Sequence, residues 1–367
     1  MRFWSTIHKS ITATWTQLTG RVQAQTQEAY SRDLCLAHRI SYGHTYLLSK
    51  IRYAAQIFPA PRLHTQQLTS AVAFFIWKGV TFRVPVSILQ ARKRKVGWEL
   101  IDISTKRRAL LYSRMYYQGT REKTATAAWL REWELAGPLP NPPHAAAYPC
   151  TPTYVRMYAM DMAYIPPPNT NETLKLFRKR IYSTLHTMAT AASSARAIRI
   201  ETMHPNHNWP QIWRNLHDAW IPDMVCSVWY ETIHGIMPTK ERLHRIALTD
   251  TNQCTNCGQI DMLLHRVTDC GAGKPIWNWT RTLLARILNT RPQRIPDGWT
   301  IRPQFHTRPS QRHGAMLWIL DHLLYYRTQY HNQTTLQDYA DFLRLARWKA
   351  HRKDPHPKGL RNYLHMI

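Results

Sequence analysis

The sequence predicts a mainly α-helical protein. Glycine is scarce, at 13 of 367 residues, about half its usual share of roughly 7%. Leu, Trp, Tyr and Arg are plentiful, and apolar residues recur at steps of three, four and seven along most of the chain, the period of a helix with one buried face. Apolar residues make up 44% and charged residues 19%, which excludes a disordered or collagen-like chain. The length suffices for about two domains and a substantial core.

In chain order, residues 33–58 read as one long helix, with Leu36, Ile40, Leu47, Ile51, Ala54 and Phe58 on one face. Pro59 and Pro61 stop it, because proline removes an amide donor and clashes with the preceding turn. A second helix buries Leu68, Val72, Phe75 and Ile76, and Gly79 closes it. Thr81 to Leu89 is short and β-branched, which predicts a strand or extended link. Two helical stretches follow from about 105 to 135. Nine of the 23 prolines then fall between Gly137 and Pro168, so a linker or irregular arm is expected there, held down by Tyr154, Tyr158 and Tyr164. Helical periodicity returns at 171–190, at 209–236 and just after Pro238. A helix starts near Lys274-Pro275, with Ile276, Trp279, Leu283 and Ile287 inward. Two apolar-striped helices occupy 312–348. The expected organisation is a helical domain at 1–136, the proline-rich arm at 137–170, a helical connector at 171–250, a cysteine-bearing segment with its following helix at 251–290, and a helical tail at 291–367.

Lys plus Arg is 49 against 22 for Asp plus Glu, a formal charge of +27. Such a surplus calls for a polyanionic partner, a nucleic acid or an anionic membrane, unless it serves only solubility. The longest apolar runs, Ala71 to Trp77 and Ala315 to Leu320, are too short to span a bilayer, so nucleic acid, RNA or DNA, is the expected partner. Basic clusters stand at Arg92-Lys93-Arg94-Lys95, Lys106-Arg107-Arg108, Arg178-Lys179-Arg180 and Arg347-Trp348-Lys349. Arg92, Lys93, Arg94, Lys95, Arg178, Lys179 and Arg180 are the candidate phosphate contacts. Arg92 to Lys95 also has the form of a nuclear-import patch. The N-terminus lacks a secretory core; it is Ser/Thr-rich and free of acids until Glu28, yet too poor in Arg for a transit peptide. Six scattered cysteines do not form a disulfide framework, so a reducing compartment, nuclear or cytoplasmic, is expected. The sequons at Asn171 and Asn332 are then unused.

The strongest chemical signal is Cys254-Thr-Asn-Cys257-Gly258, then His265, then Cys270: C-x2-C-x7-H-x4-C. Zinc takes four such ligands in a tetrahedron. Cys254 and Cys257 can grip one edge from a single tight turn, with Gly258 allowing the turn backbone to aim amides at sulfur. His265 and Cys270 supply the other edge. Four protein ligands leave no open position, so one structural Zn²⁺ is expected.

This spacing is similar to the knuckle that follows the polymerase in LINE-type (non-LTR) retrotransposons. The flanks resemble the reverse-transcriptase zinc-binding region of insect-type elements: Trp229-Tyr230-Glu231-Thr232-Ile233-His234-Gly235-Ile236-Met237-Pro238 before the knuckle, and His265-Arg266-Val267-Thr268-Asp269-Cys270-Gly271 closing it. Upstream, Leu36-Ala37-His38-Arg39-Ile40, Thr45-Tyr46-Leu47-Leu48-Ser49-Lys50 and Phe75-Ile76-Trp77-Lys78-Gly79 resemble the helical thumb after the palm. The resemblance covers about residues 30 to 350 and makes 1–136 thumb-like. It implies a region that grips template RNA and target DNA. It departs at Lys95-Val96-Gly97-Trp98-Glu99-Leu100, where Val96 and Glu99 stand in place of glycines, which points to a decaying copy.

The paired palm aspartates of such polymerases have no counterpart here, so this chain by itself is not expected to be an enzyme. Two-metal phosphoryl chemistry needs clustered carboxylates. Tyr339-Ala340-Asp341-Phe342 lacks the second aspartate and belongs to a helix begun by a Thr335–Asp338 capping box. Gly271-Ala-Gly273-Lys274 lacks the remaining residues of a phosphate loop. Pro222-Asp223 and Pro296-Asp297 lack the Glu/Asp-x-Lys of a nuclease. The expected function is nucleic-acid binding. Alternatives are a piece of a longer active RNA-directed DNA polymerase, and a helical scaffold or decayed retroelement product that binds nothing.

Overall fold

The computed structural model describes residues 2–79, 84–93, 96–121, 153–169, 171–190, 202, 208–217 and 221–300, and then 311–330 and 335–352. These residues are mostly helical, as expected. Among them there is no strand, and one isolated antiparallel bridge joins Gln253 to Ile260. No described helix is long and apolar enough to cross a membrane. The chain forms two compact units. The first draws on Met1–Asp33, Arg39–Ala91 and Trp98–Ala195, the second on Leu34–His38, Arg92–Gly97 and Arg196–Ile367.

The first unit opens with α1 (Arg2–Tyr30), a helix that no sequence signal above announces. Among its described side chains, the buried ones are Trp15, Thr19, Val22, Thr26 and Ala29, spaced four, three, four and three. This is a heptad seam, concealed because two of its five positions are threonine. It packs on α4 (Arg62–Ile76). Lys78 and Gly79 end α4 with φ of 50° and 69°, and the Gly79 amide reaches back to the Phe74 carbonyl at 3.0 Å. The Gly79 stop is thus a left-handed cap. A Cβ there would meet the Tyr30 hydroxyl at 2.9 Å.

The long helix expected over 33–58 is broken. After α2 (Leu36–Tyr42) the chain widens into a π turn at Gly43–Leu47, closed by Leu48 N–H to Gly43 O at 3.0 Å. It then runs through turns into the short α3 (Ala54–Ile57). Glycine weakens a helix interior, and Gly43 sits where the break begins. The expected extended link at 81–89 is also corrected: Val86–Gln90 is a short helix, α5, led by Pro85, while 80–83 lie outside the described residues.

Helix α6 (Ile103–Arg121) is the axis of the first unit. Against it pack α3, α4 and α8 (Leu174–Thr190). So 174–190, expected in a connector, shares a core with the N-terminal helices. That core joins Ala109, Tyr112 and Met115 to Phe177, Ile181 and Leu185. Half of the expected arm lies outside the described residues, as does the Tyr154 side chain. In the proline-free window between Pro152 and Pro166 the chain forms α7 (Thr153–Met162). Its Tyr158 is buried edge-on against Tyr112, ring centroids 5.3 Å apart, whereas Tyr164 is exposed.

The second unit is built around α13 (Gln311–Gln329). Ala315, Met316, Leu317, Trp318, Ile319 and Leu320 are all buried, so this helix is covered on every side and carries no stripe. The periodicity at 209–236 resolves into α9 (Trp209–Leu216) and α10 (Asp223–Ile233), the latter capped by Pro222. Then come α11 (Lys240–Arg245), α12 (Lys274–Leu288) and α14 (Leu336–Arg352). Proline stands in the first turn of α12 as expected, with Ile276, Leu283 and Ile287 buried and Trp277 more buried than Trp279. Thr335 and Asp338 cap α14 reciprocally: Thr335 N–H donates to the Asp338 carboxylate at 2.9 Å, and Asp338 N–H to the Thr335 hydroxyl at 3.2 Å.

Val96 and Glu99 both lie in the left-handed region, with φ of 91° and 56°. L-residues pay roughly 1–2 kcal/mol there. Val96 is buried, and burying a valine contributes about 1.5–3 kcal/mol, which offsets its strain. Glu99 is exposed and has no such offset. Glu99→Gly is therefore expected to raise stability by about 0.5–1 kcal/mol, measured by urea unfolding. Glu99→Ala, which keeps the Cβ, should show no gain. Equal effects of the two would attribute the change to charge and sink the strain argument.

Candidate metal centre

The first ligand pair is set by a hairpin-like loop. Across the Gln253–Ile260 bridge, Cys254 N–H donates to Gln259 O at 2.7 Å and Asp261 N–H to Asn252 O at 2.8 Å. Inside the loop Gly258 has φ of 74°, and its amide donates to Cys254 O at 2.9 Å. Only glycine adopts that conformation without strain. The turn aims amides at sulfur: Asn256 N–H lies 3.4 Å from Cys254 Sγ.

The second pair comes from a π turn, His265–Asp269, closed by Cys270 N–H to His265 O at 2.8 Å. In an α-helix, residues five apart point about 140° away from each other. The wider turn brings both onto one side. The Cys270 backbone leaves the helix there, and α12 starts four residues later.

The four ligand atoms lie within 4.8 Å of one another. Cys254 Sγ is 3.8 Å from Cys270 Sγ, and Cys257 Sγ is 3.3 Å from His265 Nε2. A tetrahedral ion with sulfur arms of about 2.3 Å has ligand–ligand edges of about 3.8 Å. Cys254, His265 and Cys270 are buried and Cys257 is exposed. Together these four residues could hold one metal ion. Burial pushes the Cys254 thiol up. Burial acts the same way at Cys270, but the amides of Ala272 and Gly273 and the Cys254 thiol outweigh it and bring that thiol below its ordinary range. Thiolate is the form that ligates metal.

No protein-family model matches the chain, and no match was found among curated proteins.

Sequence reasoning missed what braces the site. Asp261 is 1% exposed, and its carboxylate accepts from Arg266 Nε at 2.6 Å and from Lys240 N–H at 2.8 Å. Arg266 Nη2 also donates to Pro238 O at 3.2 Å. Arg327, fully buried on α13, donates from Nε to Arg266 O at 3.0 Å. Gly273 seats α12 directly on the π turn: a Cβ there would lie 2.6 Å from Arg266 O and 3.1 Å from Val267 O. Of these, only Asp261 and Arg327 leave a trace in the sequence, as charges amid apolar neighbours.

The decoys have structural roles. Asp341 is exposed and bonds Gln337 and Arg344 at 3.0 and 2.8 Å. Asp223 pairs with His38 at 3.3 Å. Asp297 accepts from Trp277 Nε1 at 2.6 Å and from Arg281.

The basic clusters divide. Arg92 and Lys93 are exposed in the second unit, and Arg94 and Lys95 lie outside the described residues. Arg180 is neutralised by Glu172, at 2.7 and 3.1 Å, and Arg108 by Asp161. Arg107 donates to Ala60 O at 2.7 Å. Lys179 is exposed, while Lys106 and Arg178 are half-buried.

Proposed function

We propose that this chain is a nucleic-acid-binding module built around a structural zinc, with no polymerising site of its own. In this reading it corresponds to the region after the palm in LINE-type reverse transcriptases, and its ligand is template RNA or target DNA. The observation that carries the zinc assignment is the convergence of three thiols and an imidazole at tetrahedral separations, the donor set zinc favours. Three thiolates, a neutral imidazole and Zn²⁺ sum to one negative charge. The buried Arg327 guanidinium, attracted by Cys270 and Cys254, offsets it. The free cysteines among the described residues fit a reducing compartment, nuclear or cytoplasmic. The net charge of +27 supports a polyanionic ligand.

The test is fluorescence anisotropy of the purified protein on structured RNA, single-stranded DNA and duplex DNA at 50 and 200 mM salt. Contact with about six phosphates predicts a roughly 10³-fold affinity loss over that range. One zinc per chain is expected, together with a preference for RNA or unpaired strands that Cys257→Ser abolishes. Weak binding, indifferent to substrate and unchanged in Cys257→Ser, would overturn the reading. A second reading, the product of a drifting element, is favoured by Val96 and Glu99 at left-handed positions. Intact ligand geometry counts against long neglect.

A further inference from the structure

Two basic triplets that look equivalent in the sequence are sorted by the fold. In 106–108, Arg108 is cancelled by Asp161; in 178–180, Arg180 is cancelled by Glu172. Of the cations left over, Arg107 donates to the Ala60 carbonyl and Lys179 is exposed, while Lys106 on α6 and Arg178 on α8 come together, and the turn before α3 adds Arg52. Arg178 Nε donates to Ser113 Oγ at 3.1 Å, and Ser113 lies seven residues along α6 from Lys106, on the same face. Arg178 Nη2 donates to Gln56 Oε1 at 3.2 Å, while Gln56 Nε2 donates to Arg52 O at 3.1 Å. Lys106 Nζ sits over the ring of Tyr182, one turn beyond Arg178, at 5.4 Å. Among the described residues no carboxylate pairs with Arg52, Lys106 or Arg178. Asp102, one turn before Lys106, is turned instead onto the Ser104 amide at 3.0 Å and the Thr105 hydroxyl.

Gathering three cations with no counter-charge costs stability. Burial first, then Arg52 and Arg178, hold the Lys106 ammonium below the usual lysine range. Arg178 is depressed likewise by burial and by Arg52. Tyr53, adjacent to Arg52, is 76% exposed, an aromatic face next to a cationic centre, the pairing that single strands favour.

We propose that Arg52, Lys106 and Arg178 form a phosphate-binding site in the first unit that takes consecutive phosphates of a single-stranded nucleic acid. This deepens the nucleic-acid reading and rests on it for the identity of the ligand. Bound phosphate would supply the missing negative charge, and the Arg178 guanidinium is already oriented by Gln56 and Ser113.

The experiment compares wild type with Arg52→Gln/Lys106→Gln/Arg178→Gln and with a charge-matched control, Arg286→Gln/Arg291→Gln/Arg294→Gln, three exposed cations of the second unit. Binding of a single-stranded oligonucleotide is followed against salt. The cluster variant should lower the salt slope by about 2, three phosphates at roughly 0.7 each, and the control by clearly less. Equal slopes would reduce the cluster to bulk charge and overturn the proposal. Lys106→Glu supplies a second, sign-based readout. A carboxylate between two arginines should raise the melting temperature while weakening oligonucleotide binding; a lysine with only a structural role would not move the two in opposite directions. Tripolyphosphate separates this proposal from the broader reading. A wild type that binds no oligonucleotide, but is thermally protected by tripolyphosphate in a Lys106-dependent way, keeps the phosphate site and loses the nucleic-acid reading. Protection by neither overturns the site.

Discussion

Stripping the proposed zinc with a chelator is expected to unfold the segment from Gln253 to Cys270 and to loosen α12, whose first turn rests on it through Gly273. The expected loss is large. Zinc-finger peptides gain roughly 10–16 kcal/mol from their metal at neutral pH, comparable with the whole stability of an ordinary domain, about 5–15 kcal/mol. Apart from the Asp261–Arg266 pair and the bond from Arg327, the segment is held by one bridge and a few turn hydrogen bonds, and Cys257 is exposed. Thermal melts followed by circular dichroism, with and without chelator, give the readout beside metal content. Cys257→Ser should mimic chelation. Cys35→Ser, a cysteine outside the ligand set, should not. Acidification should mimic it too, because thiolates must be deprotonated to ligate. A melt unmoved by chelator would remove the metal from the account of this fold.

Arg266→Met is expected to cost about 3–5 kcal/mol, because it leaves the Asp261 carboxylate buried without its cation. Asp261→Asn should cost a similar amount. It weakens the anchor of Lys240 N–H and leaves Arg266 uncompensated, only 8% exposed, against the Pro238 carbonyl. The double variant should cost much less than the sum, since replacing both members of a buried pair removes the stranded charge. A urea double-mutant cycle measures this directly. Additive effects would mean that the two residues act separately and that the brace between the Pro238 turn and the metal loop is not a pair.

How much of this could be read from the sequence depends on whether a signal was local. The Cys/His cluster was legible because its members recur at metal-ligand spacing within 17 residues, and the capping box at Thr335 because both partners lie within one turn. Gly79 was legible for the same reason. Helix α1 was not, since Thr19 and Thr26 occupy two seam positions and look polar until α4 covers them. The break at Gly43 was hidden because the apolar spacing of 33–58 fits a continuous helix equally well. Helix α13 was read as striped, although burial on every side had removed the polar face that makes a stripe visible. The braces around the knuckle were missed for a different reason. Arg327 and Arg266 are 61 residues apart in sequence, and no periodicity links them. The same blindness applies to Lys106 and Arg178, which the sequence presents as two separate triplets.

The π turn between His265 and Cys270 bears on how this site could change over generations. Inserting one residue into the turn would set the two side chains six apart, and ordinary helical winding would then point the last sulfur about 120° away from the imidazole, out of reach. The ion would then keep three protein ligands and recruit a water, the arrangement of hydrolytic zinc centres rather than structural ones. If the cluster holds zinc as proposed, a single codon separates an inert staple from a reactive Lewis acid. The backbone bond from Cys270 to His265 closes the turn that brings the fourth donor to the other three.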